Sequence, residues 1–135
     1  MEKIRIEKDI QVFYVTAKSF PEGIQEAHQK LHALIPFSTD RKYFGVSRPE
    51  QGMGIVYRAA AEELEQGEAE RFKLETLVLK KGDYMSITIK DYAKDIMSID
   101  RAFKELLALP DLDPQGYCVE WYYHGKDVRC MIRLK

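Results

Sequence analysis

The residues best equipped for chemistry concentrate between positions 117 and 134, where Cys118, Glu120, Trp121, Tyr122, Arg129, Met131 and Arg133 alternate along what reads as a hairpin. Its turn, His124-Gly125-Lys126-Asp127, carries glycine at the first central position, as a two-residue type II′ turn requires, which sets Glu120 opposite Met131. Cys118, Glu120 and Tyr122 then share one face with Arg133, Met131 and Arg129. Tyr117, Val119, Trp121 and Tyr123 share the other with Val128, Cys130, Ile132 and Leu134. In this register the two cysteines emerge on opposite faces, which excludes a bond between them.

A carboxylate set among phenol rings has a recognisable use, because aromatic walls stack on flat ligands and a lone acid selects a cation. The same alternation, applied to the strands that precede two helical stretches, turns Phe13, Val15 and Ala17, and likewise Met85, Ile87 and Ile89, toward the helices. Tyr14, Tyr84 and Ser86 then look outward, onto the face of Glu120, Tyr122 and Met131. These six residues are the expected ligand-binding set. Trp121 is a seventh, of second rank, because its parity puts it under the helices in a core role. The competing expectation is an ordinary cross-strand ion pair between Glu120 and Arg129 or Arg133, which sit diagonally beside it.

Other chemistry finds little support. His28 and His32 stand one helical turn apart, a spacing that can clamp a metal, but no third ligand accompanies them and the intervening residues lack the glutamate of a metalloprotease motif. Cys118 and Cys130 have no zinc-ligand spacing. No phosphate-binding glycine loop or nucleophile elbow occurs. No metal or cofactor is expected. With 21 Lys plus Arg against 22 Asp plus Glu, the chain offers no electrostatic footprint for nucleic acid. No stretch approaches the roughly 20 apolar residues that span a bilayer, and the first residues do not read as a secretory signal, so no membrane partner and a cytoplasmic location are expected.

The elements that must position these residues follow from periodicity. Residues 10–18, 41–47, 54–61, 72–79 and 84–90 read as strands or extended segments, and the hairpin at 117–134 adds two more strands. Residues 21–35 form an amphipathic helix through Ile24, Ala27, Leu31, Leu34 and Ile35, and 94–109 form another through Ile96, Ile99, Phe103, Leu106 and Leu107. The spacing of the second helix repeats that of the first at a shift of 72, and the match extends to Phe13 with Met85, Val15 with Ile87 and Phe20 with Tyr92. An internal duplication follows. The expected fold is α+β: two strand–helix–strand–strand units related by a pseudo-twofold axis, one antiparallel sheet, both helices on one face and a ligand groove on the other. The chain is read as a single domain, with repeats at about 10–61 and 72–135. Its glutamate-rich 62–71 stretch is read as a solvated linker or frayed helix without chemistry.

The first helix followed by Lys42-Tyr43-Phe44-Gly45-Val46-Ser47, then Lys81-Gly82-Asp83-Tyr84 entering a strand, Tyr92 ahead of the second helix, and Val119-Glu120-Trp121-Tyr122 together resemble one family. This is the GyrI-like small-molecule-binding domain, the effector-binding domain of bacterial multidrug-responsive transcription activators. The resemblance spans nearly the whole chain. It implies a duplicated fold whose central cleft binds amphipathic, often cationic, aromatic compounds, with the acid at Glu120 and a wall residue at Tyr122. The family's glycine-proline pair before the second helix is Lys90-Asp91 here. Family activators carry a helix-turn-helix domain as well, and the chain is expected to act as a stand-alone ligand binder. The implied partners are a cationic amphipath and either a regulator protein or a second copy of the chain. Two alternatives stand beside this reading: a hydrolase of strained electrophilic small molecules using the same groove, and a protein-interaction module of the gyrase-modulator type.

Overall fold

Valine, isoleucine and aromatic residues dominate the segments that become strands, and the computed structural model, which describes residues 1–123 and 125–135, places them in register. The elements run β1 (Glu2–Ile6), β2 (Ile10–Thr16), α1 (Ile24–Leu34), β3 (Tyr43–Glu50), β4 (Gly54–Glu62), α2 (Glu68–Phe72), β5 (Glu75–Leu79) and β6 (Gly82–Ile89). A single 3-10 turn (Tyr92–Lys94), α3 (Ser98–Leu107), β7 (Cys118–Tyr123) and β8 (Asp127–Arg133) complete the chain. Among the described residues the strands form one antiparallel sheet ordered β1-β6-β8-β7-β3-β4-β2-β5. The block β6-β8-β7 mirrors β2-β4-β3 across the join of β3 with β7, and each block carries one helix. This is the duplicated α+β architecture. None of the described helices is long and apolar enough to cross a membrane.

The sheet has to curl. Only Lys80 and Lys81 link β5 to β6, yet the strand order puts six spacings between them. A flat sheet would separate these strands by roughly 29 Å at ~4.8 Å per spacing, whereas the chain from Leu79 to Gly82 reaches only about 10 Å. The short link from β1 to β2 imposes the same closure. The outcome is a half-barrel whose inner face is filled by Val12, Phe44, Val46, Leu79, Val119 and Met131. Each repeat also lends its leading strand to the other, since β1 pairs with β6 and β5 pairs with β2.

Both long helices cover the outer face. Ala27, Leu31 and Ile35 pack on Phe13, Val15, Ala59 and Ala61. Ala102 and Leu106, with Ile99 and Phe103, pack on Met85, Ile87, Val128, Cys130 and Ile132. The parity expected for the pre-helix strands therefore holds. Ile96 and Leu107, expected on the buried stripe, are exposed, because α3 starts at Ser98 and turns Ala102 inward instead.

The glutamate-rich connection is also not simply solvated. Its short helix α2 buries Glu68 against Arg41 in a two-pronged ion pair, with Nη1 to Oε1 at 3.0 Å and Nη2 to Oε2 at 2.9 Å. Glu68 further accepts the backbone N–H of Leu64 and Glu65, and Arg41 donates to the carbonyl of Glu62. The Arg41 hydrogen bonds, backed by those amides, hold the Glu68 carboxyl down to about 2. Its stabilising contribution is present above the ordinary glutamate range and is lost as pH falls toward that value. Removing one partner of a buried pair leaves the other uncompensated, so Glu68→Ala is expected to cost about 3–5 kcal/mol at neutral pH. Urea unfolding should show that gap narrowing as the pH is lowered below the ordinary glutamate range.

Candidate functional site

Two strands, β3 and β7, lie between the strands that carry the two helices. Gly45 pairs with Glu120 at the middle of their five matched positions, on the join between the repeats. Only one of these facing residues has a side chain. A Cβ on Gly45 would lie 2.0 Å from the Tyr57 hydroxyl and 2.7 Å from Glu120 Oε1. Glycine thus opens the space in which a tyrosine from β4 leans over to the acid.

Glu120 is buried, 8% exposed. Tyr57 Oη donates to its Oε1 at 3.0 Å, and Tyr122 Oη donates to the same oxygen. His28 Nε2, from α1, lies 2.7 Å from Tyr57 Oη and extends the chain of polar groups. The His28 ring stands edge-on to both phenols, with centroids 5.7 Å from Tyr57 and 5.5 Å from Tyr122. Tyr92, from the 3-10 turn before α3, tilts against Tyr122 at 5.6 Å, and the partly exposed Phe20, from the segment before α1, stacks on Tyr57 at 6.1 Å. A carboxyl at the floor, phenols and an imidazole over it, and two aromatic residues at the rim make an aromatic cage.

The electrostatics follow from burial. Among the described residues no Lys, Arg or His nitrogen comes within ion-pair distance of Glu120. Desolvation pushes its carboxyl above the ordinary range, against the two tyrosine hydrogen bonds that favour the charge. Tyr57 and Tyr122 are pushed well up by burial and then by the acid. Burial, and after it the acid, likewise raises Tyr92, Cys118 to about 11 and Cys130 to about 12. His28 is lowered to about 4, first by burial and then by His32.

The expected seven-residue set divides between the two faces of the sheet. Tyr123 pairs with Asp127 and Glu120 with Cys130, one residue out of the register expected from the turn, which slips the whole of β7 to the opposite face. His124, in that turn, lies outside the described residues. Glu120 and Tyr122 therefore stand together on the helical side, with Cys118 and Cys130. Tyr14, Tyr84, Ser86, Met131 and Trp121 belong to the inner face. There Met131 is core, Tyr84 donates to the Lys80 carbonyl at 2.7 Å and Ser86 to the Glu2 carbonyl at 2.8 Å. Tyr14 donates to Glu75 at 2.9 Å, and Trp121 tilts against Phe44 with the Arg129 guanidinium 5.4 Å from its ring centroid.

The ion pair weighed against the cage is absent for the same reason. Arg133 bonds Asp113 at 3.0 Å and the Lys81 carbonyl, and Arg129 lies over Trp121, both on the far side of the sheet from Glu120. The two cysteines share a face after all, but Cys118 pairs with Ile132, so they are diagonal neighbours. Both are free thiols. Tyr57, His28, Tyr92, Phe20 and Gly45 are site residues that the sequence reading does not include. A signal existed for two of them: Phe20 and Tyr92 match each other at the repeat shift, one before each helix.

No protein-family model matches the chain, and a search of curated proteins returns no significant match. Solved structures do match. An integron cassette protein from the mobile metagenome of Vibrio cholerae superposes with a TM-score of 0.71 at 13% identity, covering 99% of this chain and 95% of that one. The structure of SAV2435 bound to tetraphenylphosphonium gives 0.68 at 11% identity, over 99% and 93% of the two chains. A hydrolase from Listeria innocua gives 0.62 at 10% identity, over 99% and 90%. At these identities the likeness establishes the fold, a duplicated α+β half-barrel, and nothing further.

Two outcomes test the geometry. A carboxyl whose folded value is raised contributes stability that is present below its unfolded value and lost as pH rises through the folded one. Glu120→Gln is therefore expected to flatten the loss of stability with rising pH above the ordinary glutamate range, as measured by urea unfolding across a pH series. Gly45→Ala forces Tyr57 off the acid and is expected to cost about 1–3 kcal/mol in the same measurement, the usual range for overpacking.

Proposed function

We propose that the chain binds amphipathic aromatic cations, and that Glu120 supplies the counter-charge. The observation that carries this reading is a buried carboxyl enclosed by Tyr57, Tyr122 and Tyr92 with no cation beside it among the described residues. Ionising such a group in isolation is costly, and a delocalised cation with flat faces offsets that cost while stacking on the rings. Phe20 and Tyr92, at the rim, are the first surfaces a hydrophobic guest meets. The ligand in the SAV2435 structure belongs to this chemical class, which supports the reading, as does the resemblance of the motifs around Gly45 and Glu120 to the GyrI-like effector-binding domain. In that reading the chain senses or sequesters its ligand without altering it, and transcription regulation is the process it serves.

Tyr122 and Tyr57 occupy the space above Glu120 in the empty protein, so a guest must displace at least one phenol to reach the acid. Entry exchanges at least one phenol hydrogen bond for an ionic contact.

A second reading, hydrolysis, draws on the same atoms, since a carboxyl flanked by hydroxyl donors can steer water and return a proton. The Listeria neighbour motivates keeping it. A thermal-shift series separates the readings. Tetraphenylphosphonium at about 100 times its dissociation constant should stabilise the wild-type protein by roughly 2.7 kcal/mol. Neutral triphenylphosphine oxide should give much less, and Glu120→Gln should lose the difference between the two compounds. Equal shifts for cation and neutral compound would contradict the role of Glu120. Time-dependent disappearance of an electrophilic test substrate by chromatography would instead favour hydrolysis.

A further inference from the structure

Resting on the cation-binding reading, we propose that the site is a proton–cation exchanger: Glu120 carries a proton when the cage is empty and releases it as the guest docks. The geometry that leads here is the row of groups on the outer face, Tyr122 Oη, Glu120 Oε1, Tyr57 Oη and His28 Nε2, with links of 3.0 Å from Tyr57 to the acid and 2.7 Å from Tyr57 to the histidine. Among the described residues, the side-chain hydrogen bonds to Glu120 fall on Oε1. Among the described residues no side chain donates to its second oxygen. An ionised carboxylate that is 8% exposed and has no cation beside it among the described residues is poorly compensated, whereas a protonated one carries no charge to compensate.

The row can hold either state without moving a heavy atom. With Glu120 ionised, both phenols donate to it and His28 Nε2–H donates to Tyr57. With Glu120 protonated, the acid donates to Tyr57 and Tyr57 donates to His28. The half-buried His28 places the far end of this chain on α1, toward the edge of the site. Among the described residues, the titratable groups facing the acid are uncharged in the neutral range: His28 from α1, Tyr57 from β4, Tyr92 from the 3-10 turn, Tyr122 and Cys118 from β7, and Cys130 opposite it on β8. Gly45 and its β3 neighbour Ser47 add no charge, and His32, one turn from His28, faces Tyr43 rather than the acid. Among the described residues no internal cation takes over when the proton leaves. The guest's charge is the replacement, the carboxyl O–H bond breaks as it enters, and the proton passes to solvent.

Calorimetric titration with tetraphenylphosphonium at neutral pH, repeated in phosphate, HEPES and Tris, tests this through the slope of the observed enthalpy against the buffer's ionisation enthalpy. The expected result is net proton release approaching one per cation, with affinity rising by up to about tenfold per pH unit below the carboxyl's folded titration point. Glu120→Gln should show no release, and triphenylphosphine oxide, wherever it binds, should release none. Cation binding with no proton release and an affinity constant between about pH 5.5 and 8.5 overturns the exchange and leaves the binding reading intact. Equal release with the neutral compound also overturns it, because pocket opening rather than charge would then drive the proton out. No binding of the cation at any pH overturns the binding reading and the exchange together.

Discussion

A carboxyl group taken out of water must be neutralised, hydrogen-bonded or paired, and the design of this protein's centre follows from how it treats one such group. Glu120 sits on the join between two repeats, where the facing residue is Gly45 and the nearest donors are phenols. The duplication creates two facing positions but only one volume, and glycine on one strand yields that volume to an acid on the other. Everything around it is aromatic or weakly polar. Burial disfavours the ionised carboxyl more than the two phenol hydrogen bonds favour it.

The helices flank this strip of sheet on either side. Each packs over the outer strands of its own repeat, α1 on β2 and β4, α3 on β6 and β8, so β3 and β7 are left between two walls. The inner face serves the opposite purpose: short links pull the sheet round until its apolar residues fill the half-barrel. One face holds the fold together, and the other holds the chemistry at its midline.

Much of this was legible in the residues. The repeat at a shift of 72 holds for the pre-helix strands, whereas the buried helix positions Ala27 and Leu31 correspond to Ala102 and Leu106; the parity of Phe13, Val15, Met85 and Ile87 and the pairing of an acid with Tyr122 depend on local alternation, which sequence records directly. The face on which Glu120 lies was not, because it depends on the hairpin register, and one residue of slip inverts every side chain of β7. Tyr14, Tyr84, Ser86 and Met131 kept their own faces; it was Glu120 and Tyr122 that left them. Tyr57 and His28 were hidden for a different reason. They reach the acid from β4 and α1, and nothing in a linear reading says that β4 lies beside β3 in the sheet or that Gly45 clears a path. The buried Arg41–Glu68 pair was equally silent, since a run of glutamates has the composition of a solvated loop whether or not one of them is tucked inward.

The reciprocal loan of edge strands constrains how such a molecule can come into being. Because β1 completes the second half and β5 the first, neither half possesses a finished sheet by itself. An isolated unit would expose a bare strand edge and one side of an unfilled trough, and its natural remedy would be a second copy of the same unit. Fusing two such copies in one polypeptide makes the encounter intramolecular and frees the two centres to diverge. That freedom is what lets a glycine and a glutamate occupy equivalent places, an inequality that a symmetric pair of identical chains could not express.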